Sequence, residues 1–302
     1  MSEERRGVLF GAAAYLLWGL FPLYWPLLEP AGAAEILAHR FVWSFVFVLV
    51  LVAIQRQLGR LWAVVRDRRR LAPLALAAVF ISVNWYVYIY GVNSGRVVET
   101  SLGYFINPLV TVLLGVLVLH ERLRRIQWVA VAVAAIAVVV LALNYGRPPW
   151  IALALAGSFG TYGLIKKQVA VGATEGLVVE SGVLLLPAVA FLATLEVNGD
   201  AAFGHAGPGA ALLLAGAGIV TAVPLILFAA SARRVPLVTL GLLQYLAPVL
   251  QFLLGVLLFD EAMPTVRWIG FALVWLALVL FTVDQVGHAR RRQLELQTAA
   301  IV

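Results

Sequence analysis

The feature that most constrains this chain is a series of apolar blocks, each about twenty residues long, separated by short connections. In helical form about twenty apolar residues cross a hydrocarbon core of roughly 30 Å. The blocks run from Gly7 to Leu28, Ala34 to Ile54, Leu71 to Gly91, Val98 to Leu119 and Ile126 to Leu143. They continue from Trp150 to Ile165, Gly176 to Leu195, Pro208 to Ala230, Pro236 to Phe259 and Val266 to Val283. They are apolar on every side and lack the alternation of a membrane barrel, so helices are the only spanning form that satisfies their backbone amides. Of 302 residues 63% are hydrophobic and 12% charged, where about a quarter charged is usual for a water-facing domain. The expectation is an all-α integral membrane protein with ten transmembrane helices. Arg5-Arg6 ahead of an apolar run looks like a signal peptide. That run outlasts the roughly 7–15 residues of a signal core, and it is read as the first spanning helix.

The basic residues test this count. If the loops alternate sides from a cytoplasmic N-terminus, 18 of the 22 basic residues fall on the cytoplasmic side, from Arg5 and Arg6 to Arg290, Arg291 and Arg292. Arg96, Arg147 and Arg267 fall on the other side, and Arg40 lies within a span. Such a bias is the positive-inside rule, and it puts both termini in the cytoplasm of a bacterial inner membrane. The net charge of +7 is thus a topology signal and no nucleic-acid footprint. There is no cysteine, the four histidines show no ligand spacing, and neither a metal nor a cofactor is expected.

Sliding the chain by 140 residues lays the fourth span on the ninth. Pro108 meets Pro248, Leu113-Leu114-Gly115-Val116-Leu117 meets Leu253-Leu254-Gly255-Val256-Leu257, Glu121 meets Glu261 and Trp128 meets Trp268. Residues 1–145 and 146–302 then hold five spans each. Five is odd, so the second copy enters the membrane from the opposite side. Inverted repeats are a recurring design of secondary transporters, whose halves rock to open alternately.

Tyr15-Leu16-Leu17-Trp18-Gly19-Leu20-Phe21-Pro22 resembles the opening of an EamA-type member of the drug/metabolite transporter superfamily. Glu35-Ile36-Leu37-Ala38-His39-Arg40, Ser101-Leu102-Gly103-Tyr104-Phe105-Ile106-Asn107-Pro108-Leu109 and Leu243-Gln244-Tyr245-Leu246-Ala247-Pro248 resemble its RarD group. The likeness covers roughly Gly7 to Val283. It implies two inverted five-helix repeats around a central cavity lined by the first four helices of each, with the fifth and tenth peripheral. It also implies a permease or exporter of small organic molecules such as amino acids, related metabolites or drugs, and it brings no particular substrate.

Polar residues inside spans are costly and mark sites or tertiary ties. Arg40 is read either as a cavity cation for an anionic substrate group or as the structural partner of Glu99 or Glu35, with snorkelling as a third option. Glu180 is placed opposite Arg40 by the 140-residue shift; it is a candidate proton-coupling group or a paired interfacial glutamate. Asn84, Asn107 and Gln244 are candidates to bond substrate or to bridge helices, and Gln251 shares the ninth span. Pro108 and Pro248 are candidate hinges. Among the aromatic residues Trp18, Trp85 and Tyr245 are singled out for the cavity, while Trp25, Trp62, Trp150 and Trp268 fit an interfacial belt. Glu121 and Glu261 suit capping or loop pairing.

No catalytic cluster of a membrane enzyme and no Walker motif is present, so no enzyme is expected and energy must come from a gradient or exchange. A membrane receptor or scaffold is the alternative to a transporter. The expected partners are a small-molecule substrate and the lipid bilayer. The expected state is a monomer, because two complete repeats form a cavity unaided.

Overall fold

The structure, a computed structural model, describes residues 2–120, 122–169 and 171–299. Among them the chain is all-helical. The elements are α1 (Glu3–Gly19), α2 (Phe21–Tyr24), a 3₁₀ turn (Trp25–Leu28), α3 (Ala33–Ile54), α4 (Leu58–Arg66), α5 (Arg68–Asn93), α6 (Val97–Leu119) and α7 (Arg125–Tyr145). They continue as α8 (Trp150–Gln168), α9 (Ala173–Asn198), α10 (Pro208–Ala232), α11 (Leu237–Leu243), α12 (Leu246–Leu257) and α13 (Thr265–Ala299). Among the described residues eight helical spans are long and apolar enough to cross a membrane, or nine if α1 and the bent α2 segment count as one. Apolar side chains cover the outside: Leu143 is 78% and Val197 86% exposed. A surface so apolar belongs against lipid, and the chain is a multi-pass membrane protein.

The first apolar block is broken rather than continuous. A bend of 42° separates α1 from the α2 segment, where Pro22 and then Pro26 lack the amide a continuing helix needs. The ninth block breaks as well, at Gln244 and Tyr245 between α11 and α12. Pro248 lies just past that break, whereas α6 runs through Pro108 uninterrupted. The connection after α3, read as a plain basic loop, holds α4. Its Leu61 and Val64 are buried against α5 and α9, and its Trp62 is exposed beneath the Arg66 guanidinium. At nine residues, with Arg60 and Arg66 among them, α4 is too short to register as an apolar block.

The helices pack in pairs: α3 with α9, α6 with α8, α6 with α12, α7 with α13, α5 with α8, α1 with α10, α3 with α10, α5 with α9 and α1 with α12. Small residues set these approaches, as they must where apolar lipid gives helices no hydrophobic reason to associate. A Cβ on Gly11 would stand 2.6 Å from Ser231 Oγ of α10, and one on Gly103 2.9 Å from the Ala152 carbonyl of α8. Gly218 of α10 lies against the Trp43 and Ser44 backbone of α3.

Ion pairs and caps tie the ends. On the basic face Arg234 bonds Glu3 at 2.9 Å and Arg124 bonds Asp284 at 2.7 Å. On the opposite face Arg147 grips Glu99 at 2.7 Å, and Glu99 also accepts from the Ile151 amide at the start of α8. Glu35 accepts from the Ala202 and Phe203 amides. Glu261 accepts from the Val97 and Val98 amides, as the capping role foresaw; Glu121 lies outside the described residues. Burial raises the Glu261 carboxyl to about 7, against the pull of those two amides and of Arg267, with Glu99 adding to the rise. The hydrogen bond to Glu99 raises Arg147 above its already high ordinary value.

Candidate functional site

Four of the sequence candidates meet in one cavity of about 320 Å³: Asn107 and Pro108 of α6, with Gln244 and Tyr245 at the α11–α12 break. Phe159 and Gly163 of α8, Gly241 of α11, and Thr282 and Gln285 of α13 complete its wall. The cavity sits in the half of the bundle toward the basic face, where α8 and α10 end and α11 begins. Asn107 Oδ1 is buried with no protein partner, so it is free for a guest. Tyr245 OH and Thr282 Oγ1 approach at 3.5 Å across the wall. The contribution of α13 corrects the expectation that the tenth helix stays peripheral. Thr282 and Gln285 of α13 line the cavity beside Gly241, Leu242 and Gln244 of the interrupted span. Gly163, Gly241, Thr282 and Gln285 escaped notice in the sequence. Two glycines and two neutral polar residues near helix ends carry no signal of their own.

The opposite half is packed shut through its middle, with a second hollow of about 360 Å³ at its edge among Glu29, Pro30, Gly32, Tyr90, Asn93 and Ser94. Phe21, Trp25, Leu28, Ile36, Tyr88, Val97, Ile151, Leu155, Ala202 and Leu214 pack there as one buried cluster drawn from both ends of the chain.

Arg40 lies in this closed half. It is 2% exposed, which rules out snorkelling, and it pairs with neither Glu99 nor Glu35, whose carboxylates are committed as described. Its Nε donates to Thr221 Oγ1 at 2.9 Å, and its guanidinium carbon lies 4.1 Å from the Trp85 ring centroid and 4.7 Å from that of Trp25. Trp25 is therefore no interfacial belt residue: the turn after Pro22 folds it inward to full burial. Trp62, Trp150 and Trp268 are exposed near helix ends.

The remaining candidates are spent elsewhere. Asn84 donates to Leu155 O at 3.0 Å and Ser158 Oγ at 3.2 Å, and it accepts from Tyr104 OH at 3.2 Å. It knots α5, α6 and α8 instead of facing the cavity. Trp18 packs against Tyr15 and Phe228, and its carbonyl accepts from Gln251 Nε2 at 3.1 Å. Glu180 bonds Lys166 at 2.6 Å and Tyr162 at 3.2 Å, well apart from Arg40 in its contacts. Among the described residues no group of three or more His, Asp or Glu is placed to hold a metal.

A lipid-facing helical bundle that holds a cavity of mixed apolar and polar lining in one half, and a tightly packed cluster across the other, has the form of a membrane carrier for small molecules. The EamA-like transporter family matches residues 5–143. The chain is 56% identical over 299 residues to Protein RarD of Streptomyces exfoliatus, covering 99% of this chain and 95% of that one. It is 44% identical over 298 residues to the uncharacterized transporter YojE of Bacillus subtilis, covering 96% and 97%. A crystal structure at 20% identity superposes with a TM-score of 0.58 over 91% of this chain and 97% of that one, which shows the shared fold. The chain belongs to the RarD-type EamA-like transporters.

Proposed function

We propose that this chain is a secondary transporter of a small organic solute, working by alternating access between two inverted five-helix halves, residues 1–145 and 146–302. The observation that carries the reading is the cavity at Asn107, Gln244 and Tyr245 in one half, set against the packed cluster around Trp25 in the other, where the hollow beside Pro30 and Tyr90 stays among loop and helix-end residues. A carrier at rest with one gate open has this form.

The packing supports the inverted repeat. Exchanging α1 with α8, α3 with α9, α5 with α10, α6 with α12 and α7 with α13 turns the set of packed pairs into itself. The family match ending at residue 143 supports the same boundary. On this reading α8 is a tenth span, less apolar than the others because it carries three glycines, Ser158, Thr161 and two terminal lysines. Of the glycines Gly160 lets α6 approach, a Cβ there standing 3.1 Å from Leu114 Cδ1. The basic face is cytoplasmic, both termini lie there, and the membrane is the bacterial inner membrane. The protein works as a monomer. The halves rock about the α11–α12 break beside Pro248 and about Pro108, whose missing amide leaves the Tyr104 carbonyl without its helical partner.

The test uses two glycines that face open space. A Cβ at Gly163 or Gly241 meets nothing within 4 Å and both glycines line the cavity, so leucine there projects into it. In proteoliposomes, wild-type protein should exchange at least one labelled solute from a panel of amino acids, organic acids, nucleosides and phenicol drugs. Gly163→Leu and Gly241→Leu should keep the wild-type thermal midpoint and lose the exchange. Exchange at the wild-type rate in both variants would remove the cavity from the transport path.

A further inference from the structure

Arg40 is the only buried lysine or arginine among the described residues. Among the described residues no carboxylate forms an ion pair with it: Glu35 is engaged by two amides, Glu99 by Arg147 and Glu261 by two more amides, while Glu29, Asp200 and Asp260 lie in loops of that face. Thr221 satisfies Nε alone, and Thr221 is itself fully used because its hydroxyl donates to Ala217 O at 2.8 Å. Arg40 Nη1 is buried with no acceptor, and so is the indole Nε1 of Trp25, the ring on which the guanidinium rests. Two unpaired donors and one uncompensated positive charge thus meet in one place, walled by Trp25, Trp85 and, at 5.9 Å, Phe21. A protein that buries a lone charge at membrane depth loses stability by it unless a partner arrives.

We propose that Arg40, assisted by Trp25, is the recognition point for a carboxylate on the transported solute, and that the aromatic wall of Phe21, Trp25 and Trp85 receives the planar or apolar part beside it. The assignment rests on the transporter reading above and adds to it a substrate class, the small monocarboxylate. Guanidinium donors lie in a plane and suit a carboxylate's paired oxygens. A single anion is favoured over a phosphate dianion because the cluster holds one cation; a second negative charge would be buried unpaired. Thr221 belongs to the second half and Arg40 to the first, so rocking that parts α3 from α10 opens the box toward the opposite face. The solute's acid then takes the place that rocking vacates, and the Asn107–Gln244 cavity is its way out on the basic side.

The experiment measures thermal midpoints of the detergent-purified full chain with benzoate and phenylacetate, each beside its neutral amide, and with inorganic phosphate. The carboxylates should raise the midpoint by several degrees while the amides and phosphate leave it in place. Arg40→Gln should fold with a ligand-free midpoint no lower than wild type, since it removes an uncompensated charge, and should lose the response. Arg40→Lys should weaken apparent affinity by about tenfold, the loss of one charge-assisted hydrogen bond. A response that survives in Arg40→Gln, or amides as effective as acids, would overturn the assignment. So would a wild type blind to every carboxylate together with an Arg40→Gln variant of much lower midpoint, which would make Arg40 a structural tie to Thr221. Exchange assays separate this from the broader reading. Carboxylate exchange unchanged in Arg40→Gln leaves the transporter standing without the site, whereas Arg40-dependent binding in a protein that moves nothing leaves the site without transport.

Discussion

Valine in place of Gly218 is expected to leave little or no folded protein. Gly218 of α10 meets the backbone of Trp43 and Ser44 in α3, so a Cβ there strikes main chain rather than a side chain that can swing away. The same contact carries the bond from Ser44 Oγ to the Gly218 carbonyl at 3.4 Å, and Thr221, which holds Arg40, is one turn along. Parting the helices would break both. Overpacking of this kind costs about 3 kcal/mol or more when neither backbone can yield, a large part of a protein's net stability. The measurement is the yield and thermal midpoint of the monodisperse peak after membrane extraction. Gly157→Ala and Gly209→Ala, where a Cβ meets nothing within 4 Å, should behave as wild type. A Gly218→Val variant that melts with wild type would mean that α3 and α10 are not in contact there.

Replacing Lys166 with methionine is expected to be the most damaging change of a charged residue. Lys166 neutralises Glu180 at 2.6 Å, and Glu180 is 3% exposed, with Tyr162 as its other partner. Removing the lysine strands a carboxylate in a dry site, and breaking a buried pair from one side costs about 3 kcal/mol. The double variant Lys166→Met, Glu180→Gln should recover most of the loss, because no uncompensated charge remains. That cycle also decides the role of Glu180. If the double variant still exchanges solute with unchanged dependence on a proton gradient, Glu180 is a structural partner of Lys166; if the gradient dependence vanishes, it is the coupling group.

Apolar length and the placement of arginine carried most of the fold into the sequence. The block boundaries fall within a few residues of the helices at α3, α6, α7 and α10, because in lipid a helix must stay apolar for its whole crossing. By contrast α13 continues past the expected Val283 to Ala299, through its polar, basic end. What failed was local or relational. The break after Gly19 turns on two prolines that a hydropathy block absorbs, and with the break came the burial of Trp25. The four cavity residues that did converge, Asn107, Pro108, Gln244 and Tyr245, lie in the two strings matched by the internal repeat. Asn84 has the same side chain as Asn107 and the opposite fate, because Ser158 and the Leu155 carbonyl lie opposite it. Arg40 stood out as a charge in a span, but its contact with Thr221 spans 181 positions. A helix that is apolar all round gives no face by which that contact can be foreseen.

Alternating access is the central claim, and locking the closed face tests it most directly. Val98 opens α6 in the first half and Gly255 lies in α12 of the second; a Cβ on Gly255 would stand 2.8 Å from Val98 Cγ2, so the two positions touch. Cysteine at both removes that methyl and puts the two sulfurs side by side. The chain has no cysteine of its own, so a Val98→Cys, Gly255→Cys pair can be oxidised without side reactions. Exchange should fall to the level of empty liposomes when the pair is oxidised and return on reduction, with the Val98→Cys single variant active throughout. Fully cross-linked protein that exchanges solute at the reduced rate would contradict the account, since its closed face would then never need to open.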